Sequence, residues 1–151
     1  MRLTRREGGG FRLDGAGVPV EGVPESGSIV IRSGERSWRM RPNASGSGAV
    51  GEPRDGARED ETLVITWPRD DASGAASVLL PDGQAFRVAT AGLAHPTLEV
   101  SRWDGPGPYL AARPHDAGWS VELTPSGAAM DGSEEIVIAT CFEIGRRDGW
   151  W

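Results

Sequence analysis

A chain of 151 residues with 38% hydrophobic side chains can bury one core, and its 22 glycines and 11 prolines suit short strands and tight turns rather than a helical bundle. A net charge of −6 argues against bulk attraction to nucleic acid or to an anionic bilayer, and the single cysteine, Cys141, excludes an internal disulfide and any cysteine-rich zinc site. The start "MRLTRREGGGF" lacks the apolar core of a signal peptide, and no window approaches the roughly 20 apolar residues of a membrane-spanning helix; one soluble, cytoplasmic domain over 1–151 is expected.

In chain order the predicted strands are "RLTRR", "FRLDG", "SIVIRSG", "SWRMRP", "TLVITWP", "ASVLLPDG", "QAFRVAT", "TLEVSRW", "YLAARP" and "WSVELTP". Each is short, rich in Val, Ile, Leu, Thr or Trp, and bounded by Gly, Pro, Asp or Ser. In "SWRMRP", Trp38 and Met40 share one face and Arg39 and Arg41 the other; in "WSVELTP", Trp119, Val121 and Leu123 lie opposite Ser120, Glu122 and Thr124. That period of two describes a sheet with one dry and one wet side. Between them, residues 43–61 have almost no large apolar side chain and are predicted to be a long flexible loop within the domain. Asp82-Gly83, between "SVLL" and "QAFRV", predicts a hairpin with a primed turn.

The last segment, "EEIVIATCFEIGRRDGWW", has a different pattern. As a strand it places Ile136, Ile138, Phe142 and Ile144 on one face and Val137, Ala139 and Cys141 on the other, so both faces need cover. As a helix it is apolar nearly all round, with Thr140 and Glu143 as a thin polar seam. The β-branched content favours a strand. The ends favour a helix: Asp131 or Ser133 as cap, Glu134 and Glu135 at the positive end of the dipole, Arg146 and Arg147 at the negative end, and Gly145 or Gly149 as the stop. A helix apolar on every side must be enclosed. The expected fold is therefore mainly β: an antiparallel barrel of short strands around one buried apolar C-terminal helix, with Trp150 and Trp151 plugging its mouth.

Such a barrel resembles the tubby C-terminal-like superfamily, which includes the phospholipid scramblases and the plant LURP-one-related proteins. Scramblases carry Ala-Cys-Phe-Leu-Ile in their C-terminal helix, and this chain has Thr140-Cys141-Phe142-Glu143-Ile144 in the equivalent place. "FRLDGAG" and "SVLLPDGQAF" are similar in style to that group's strand–turn–strand units. The chain departs from the pattern in lacking a proline- or cysteine-rich N-terminal region, a match to the acidic calcium-binding segment of scramblases, and the lysine-rich phosphoinositide pocket of tubby proteins. The resemblance therefore implies more about fold than about activity.

Catalytic signatures are lacking. His95 and His115 fall in turns; His115 sits beside Asp116, a pair able to serve as a general base only if held in a pocket. Two histidines without other spaced ligands make no metal site, and no cofactor fingerprint is present. Cys141 lies in an apolar run, where a thiol is an inert core residue. The sixteen basic residues are all arginine. Arg32, Arg36, Arg39 and Arg41 cluster on two neighbouring predicted strands, and pairing of those strands would let several guanidinium groups share one patch for phosphate or carboxylate. Their ordinary use is to decorate a wet sheet face and balance nearby acids. The expected function is a non-enzymatic binding or scaffolding module that engages a lipid headgroup or a protein partner through these arginines. The alternatives are a small barrel enzyme of cyclase or isomerase type using an internal cavity, or a subunit of a larger assembly.

Overall fold

Alternating side chains set most of the strands. The computed structural model describes all residues except 16, 18, 55–61, 68–74, 93 and 95. Its strands are β1 (Arg2–Arg5), β2 (Phe11–Asp14), β3 (Val20–Glu25), β4 (Ser28–Ser33), β5 (Arg36–Pro42), β6 (Gly48–Pro53), β7 (Leu63–Thr66), β8 (Ala76–Leu79), β9 (Ala85–Ala91), β10 (Thr97–Arg102), β11 (Leu110–His115) and β12 (Gly118–Leu123). Two helices follow, α1 (Pro125–Ala129) and α2 (Ser133–Arg147). Each strand pairs antiparallel with its neighbours in sequence, and β1 closes the barrel on β12 through Leu3 opposite Trp119. The Met1 ammonium donates to the Val121 carbonyl at 2.8 Å and extends that seam. Closure removes the free edges that an open sheet would present to other chains.

The helix reading of the tail holds. Ile136 to Gly145 are buried without interruption, so α2 occupies the lumen. Inward-facing Leu3, Leu13, Ile31, Trp38, Leu63 and Phe86 are all within 1% of complete burial and belong to the same core as Ile138, Phe142 and Ile144. Phe142 stacks between Trp67, at 6.3 Å between centroids, and Trp151, at 4.3 Å. Trp150 and Trp151 fold back across the mouth: the Trp150 carbonyl accepts from Gly10 N–H at 2.6 Å, and Trp151 Nε1 donates to the Phe142 carbonyl at 3.2 Å.

Several local expectations are corrected. The N-cap of α2 is Gly132, at φ 88°, rather than Asp131 or Ser133, and no side chain caps that end. Gly145 lies inside the helix, where an added Cβ would press on the Trp151 indole; the chain leaves the helix at Asp148, followed by Gly149 at φ 65°. The β8–β9 hairpin turns through Pro81, Asp82 and Gly83 with Gly83 at φ 87° and its N–H on the Leu80 carbonyl, a three-residue loop in place of the primed turn. A primed turn occurs instead at Ser26-Gly27, with φ of 47° and 79°.

The segment expected to be a loop over 43–61 is only partly one. Asn43 to Ser47 form a side-chain-bonded turn in which Asn43 Oδ1 accepts from Ser47 N–H at 2.9 Å, Gly48–Pro53 form β6, and 55–61 lie outside the described residues. β3 and β6 are the two strands the pattern missed, for one shared reason. Each carries glycine at a buried position where a larger neighbour fills the space: the Phe11 ring over Gly22 and the Met40 sulfur over Gly51. The apolar bulk of those positions sits on adjacent strands, so neither segment shows a hydrophobic alternation of its own.

Truncating Phe142 to alanine should lower unfolding free energy by about 3–5 kcal/mol, the usual result of emptying a packed aromatic site. Urea unfolding checks this; a loss under about 1 kcal/mol would mean that the lumen is not tightly packed around α2.

Candidate functional site

Because α2 fills the lumen, the polar groups available to a ligand lie at the mouths and on the outer wall. On β5 the alternation sends Trp38 and Met40 inward and Arg39 and Arg41 outward. The primed turn at Ser26-Gly27 brings Glu25 beside them, and Arg54, just past β6, joins opposite Ser37 through its N–H on the Ser37 carbonyl at 2.9 Å. Arg39, Arg41 and Arg54 thus line one cleft of about 710 Å³ with Glu25, Ser26, Ser28 and Pro42.

Inside the cleft, Arg39 Nη2 donates to Glu25 Oε2 at 2.9 Å, and Arg54 Nη1 stands 3.7 Å from the same oxygen. Arg41 Nη2 is 3.6 Å from Glu52 Oε2, with both side chains more than half exposed. Three guanidinium groups therefore share two carboxylates in wet pairings, two of them longer than a hydrogen bond. Arg39 Nε is buried and has no acceptor among the described residues. The cleft keeps donor capacity facing a small anion, in the fork geometry that suits phosphate and carboxylate.

The other two arginines of the expected cluster are placed elsewhere. Arg32 is exposed on β4, on the cross-strand row Arg12–Glu21–Arg32–Ser37, and does not line the cleft. Arg36 starts β5 at the mouth where α2 begins, bonding Glu134 at 2.7 Å and Glu135 at 3.1 Å and lying 4.5 Å over the Trp38 ring. Its side chain is 48% exposed, so this clasp contributes about 0.5–1 kcal/mol. Arg54 was missed because it falls in the stretch read as loop; the outward alternation of Glu52 and Arg54 was the available signal.

The same mouth holds an apolar depression of about 520 Å³ with Met1, Val20, Leu123 and Val137 on its walls. Its carboxylate, Glu134, is already engaged by Arg36. His115, expected in a turn, is instead the exposed last residue of β11, paired with Gly118 and 3.1 Å from Asp116, and His95 lies outside the described residues. Burial pushes the Cys141 thiol well above its ordinary value, which keeps it protonated and unreactive. Among the described residues, no three His, Cys, Asp or Glu side chains are grouped to hold a metal, and no helix is long and apolar enough to cross a membrane.

At the opposite end of the lumen, Glu143 is 1% exposed and fully bonded. It accepts from Trp67 Nε1 at 2.8 Å, from Arg146 at 2.8 and 3.0 Å and from Arg147 at 2.7 Å, while Arg147 also reaches Thr90 at 2.8 Å. Burial alone would raise its pKa, but the hydrogen bonds and charges of Arg146 and Arg147 outweigh it and hold the carboxyl below its ordinary 4.5. A depressed folded-state value means that the carboxylate's contribution is complete above pH 4.5 and is lost as pH falls through the folded value. Glu143→Gln should cost about 2–4 kcal/mol at neutral pH, because it leaves two arginines short of their counter-charge. It should also flatten the fall in stability below pH 4.5. Urea midpoints from neutral to acid pH check both; a variant with an unchanged acid profile would show that Glu143 is not the titrating group.

No family model, no curated protein and no solved structure matches this chain.

Proposed function

We propose that this chain is a non-enzymatic binding module that holds the phosphate of a lipid headgroup in the cleft of Arg39, Arg41 and Arg54. The observation that carries this reading is the convergence of three outward guanidinium groups on one concave site lined by a single acid, Glu25, which is within hydrogen-bond distance of Arg39 alone. Recognition on this reading is local, because the net charge of −6 opposes bulk attraction to an anionic surface. The likeness of Thr140–Ile144 to the scramblase helix belongs to the same proposal: the tail is enclosed scaffolding, and binding is left to the outside. A catalytic cavity inside the barrel is disfavoured, since α2 occupies that space.

Flotation with phosphatidylcholine liposomes, with and without phosphoinositide, tests it. Wild type should bind only the phosphoinositide vesicles, and Arg39→Ala/Arg41→Ala/Arg54→Ala should bind at least about tenfold more weakly, the loss of one or more charge-assisted bonds. Arg36→Ala, at the far mouth, should bind as wild type does. Equal binding by the triple variant would overturn the proposal.

A further inference from the structure

The wall outside the lumen carries a feature that sequence order conceals. Three large apolar side chains stand exposed among the described residues: Val50 at 36%, Leu79 at 45% and Trp103 at 55%. They are far apart in the chain, yet the strand register puts all three on one outward row. Arg41 pairs with Val50, Val50 with Val64, Val64 with Leu79 and Leu79 with Ala85, and Ala85 accepts the Trp103 N–H. Polar residues bound the row: Thr66, Ser77, Arg87 and Ser101 on one side, Arg39 and Glu52 on the other. At about 4.8 Å per strand, the apolar part from Val50 to Trp103 spans about 19 Å of wall. An isolated exposed leucine needs no explanation, but a continuous stripe rimmed by polar groups marks an interaction surface.

The ends of the stripe differ in charge. Arg41 closes one end, where it, Arg39 and Arg54 stand against only two carboxylates, Glu25 and Glu52, and leave that end net positive. At the other end are the exposed Asp104, next to Trp103, and Asp82, tied to that corner through Gln84 and Arg102. An anionic bilayer or an acidic peptide laid along the stripe would meet these two carboxylates. A second copy turned end for end would instead set basic end against acidic end, twice.

We propose that this stripe is a self-complementary face through which two copies of the chain pair about a two-fold axis passing between Val64 and Leu79. Reversing the row on itself places Arg41 against the partner copy's tryptophan at 103, Val50 against its alanine at 85, and Val64 against its leucine at 79. Each copy makes the same contacts, as an isologous interface requires. Two convex walls part toward their ends, and the longest side chains of the row, Arg41 and Trp103, stand where that gap is widest. There a guanidinium over an indole gives a cation–π contact, and Asp104 supplies the counter-charge. The pairing rests on Leu79 and Trp103, which lie outside the cleft, and shares only Arg41 with the headgroup reading.

Sedimentation velocity and light scattering of the intact chain up to about 100 μM test the pairing. Wild type should form a reversible dimer, and Leu79→Glu and Trp103→Ser should each raise its dissociation constant by at least about tenfold while keeping the wild-type unfolding midpoint at concentrations where wild type is monomeric. Arg41→Glu and Asp104→Arg should each weaken the homodimer, and an equimolar mixture of the two should restore dimer, since the mixed pair regains both salt contacts, one native and one with reversed sign. Arg54→Ala separates the two readings: it should weaken phosphoinositide binding and leave the dimer intact, whereas Leu79→Glu should do the reverse. A wild type that stays monomeric, or a dimer indifferent to Leu79→Glu and Trp103→Ser, overturns the pairing. So does a monomer whose liposome binding is lost with Trp103→Ser, which would give the stripe to a bilayer.

Discussion

A helix with apolar residues on every side has no stable place in water, and α2 is such a helix over ten consecutive buried residues. Enclosing it requires a sheet that closes on itself, and closure here is made by the first and last strands, β1 and β12. The path of the chain follows from that demand. After β12 the backbone crosses the mouth through α1, capped by Thr124 Oγ1 on the Gly127 N–H, before α2 enters the lumen. The two terminal tryptophans then cover the exit.

A buried cylinder must also be fixed against sliding, and apolar contacts alone are poorly directional. Charged groups mark both ends of α2. At its start, Glu134 and Glu135 reach Arg36 on the barrel rim. At its end, Arg146 and Arg147 gather on Glu143, which is tied to Trp67 and, through Arg147, to Thr90. Both ends also follow the sense of the helix dipole, with acids at the N-terminus and bases at the C-terminus. One arginine of the expected surface cluster is therefore structural, and the polar seam of the helix is satisfied from within: the Thr140 hydroxyl donates to the Ile136 carbonyl, and the buried Glu143 is paired with Arg146 and Arg147.

Filling the lumen leaves the mouths and the outer wall as the surfaces open to other molecules. Strand alternation already sends every second residue of each strand to the outer wall, and the register determines which of these become neighbours. Arg39 and Arg41 meet Arg54 across β5 and β6, while Val50, Leu79 and Trp103 fall into line across five strands. Arg41 belongs to both arrangements, so any headgroup in the cleft and any second copy on the stripe would be linked through this one side chain.

Ten of the twelve strands and the buried helix could be read from local pattern, because a period of two and an apolar run with charged ends are properties of contiguous residues. β3 and β6 could not, since the bulk that fills their buried positions comes from Phe11 and Met40 on other strands. The arginine site was half legible for a related reason: alternation assigns Arg39 and Arg41 to a face but says nothing of which residues flank them. By itself the sequence determined which segments extend, which side of each strand is dry, and that the tail needs cover. Only the tertiary structure decided which residues meet, because pairing register joins positions far apart in the chain, and no local periodicity encodes that offset.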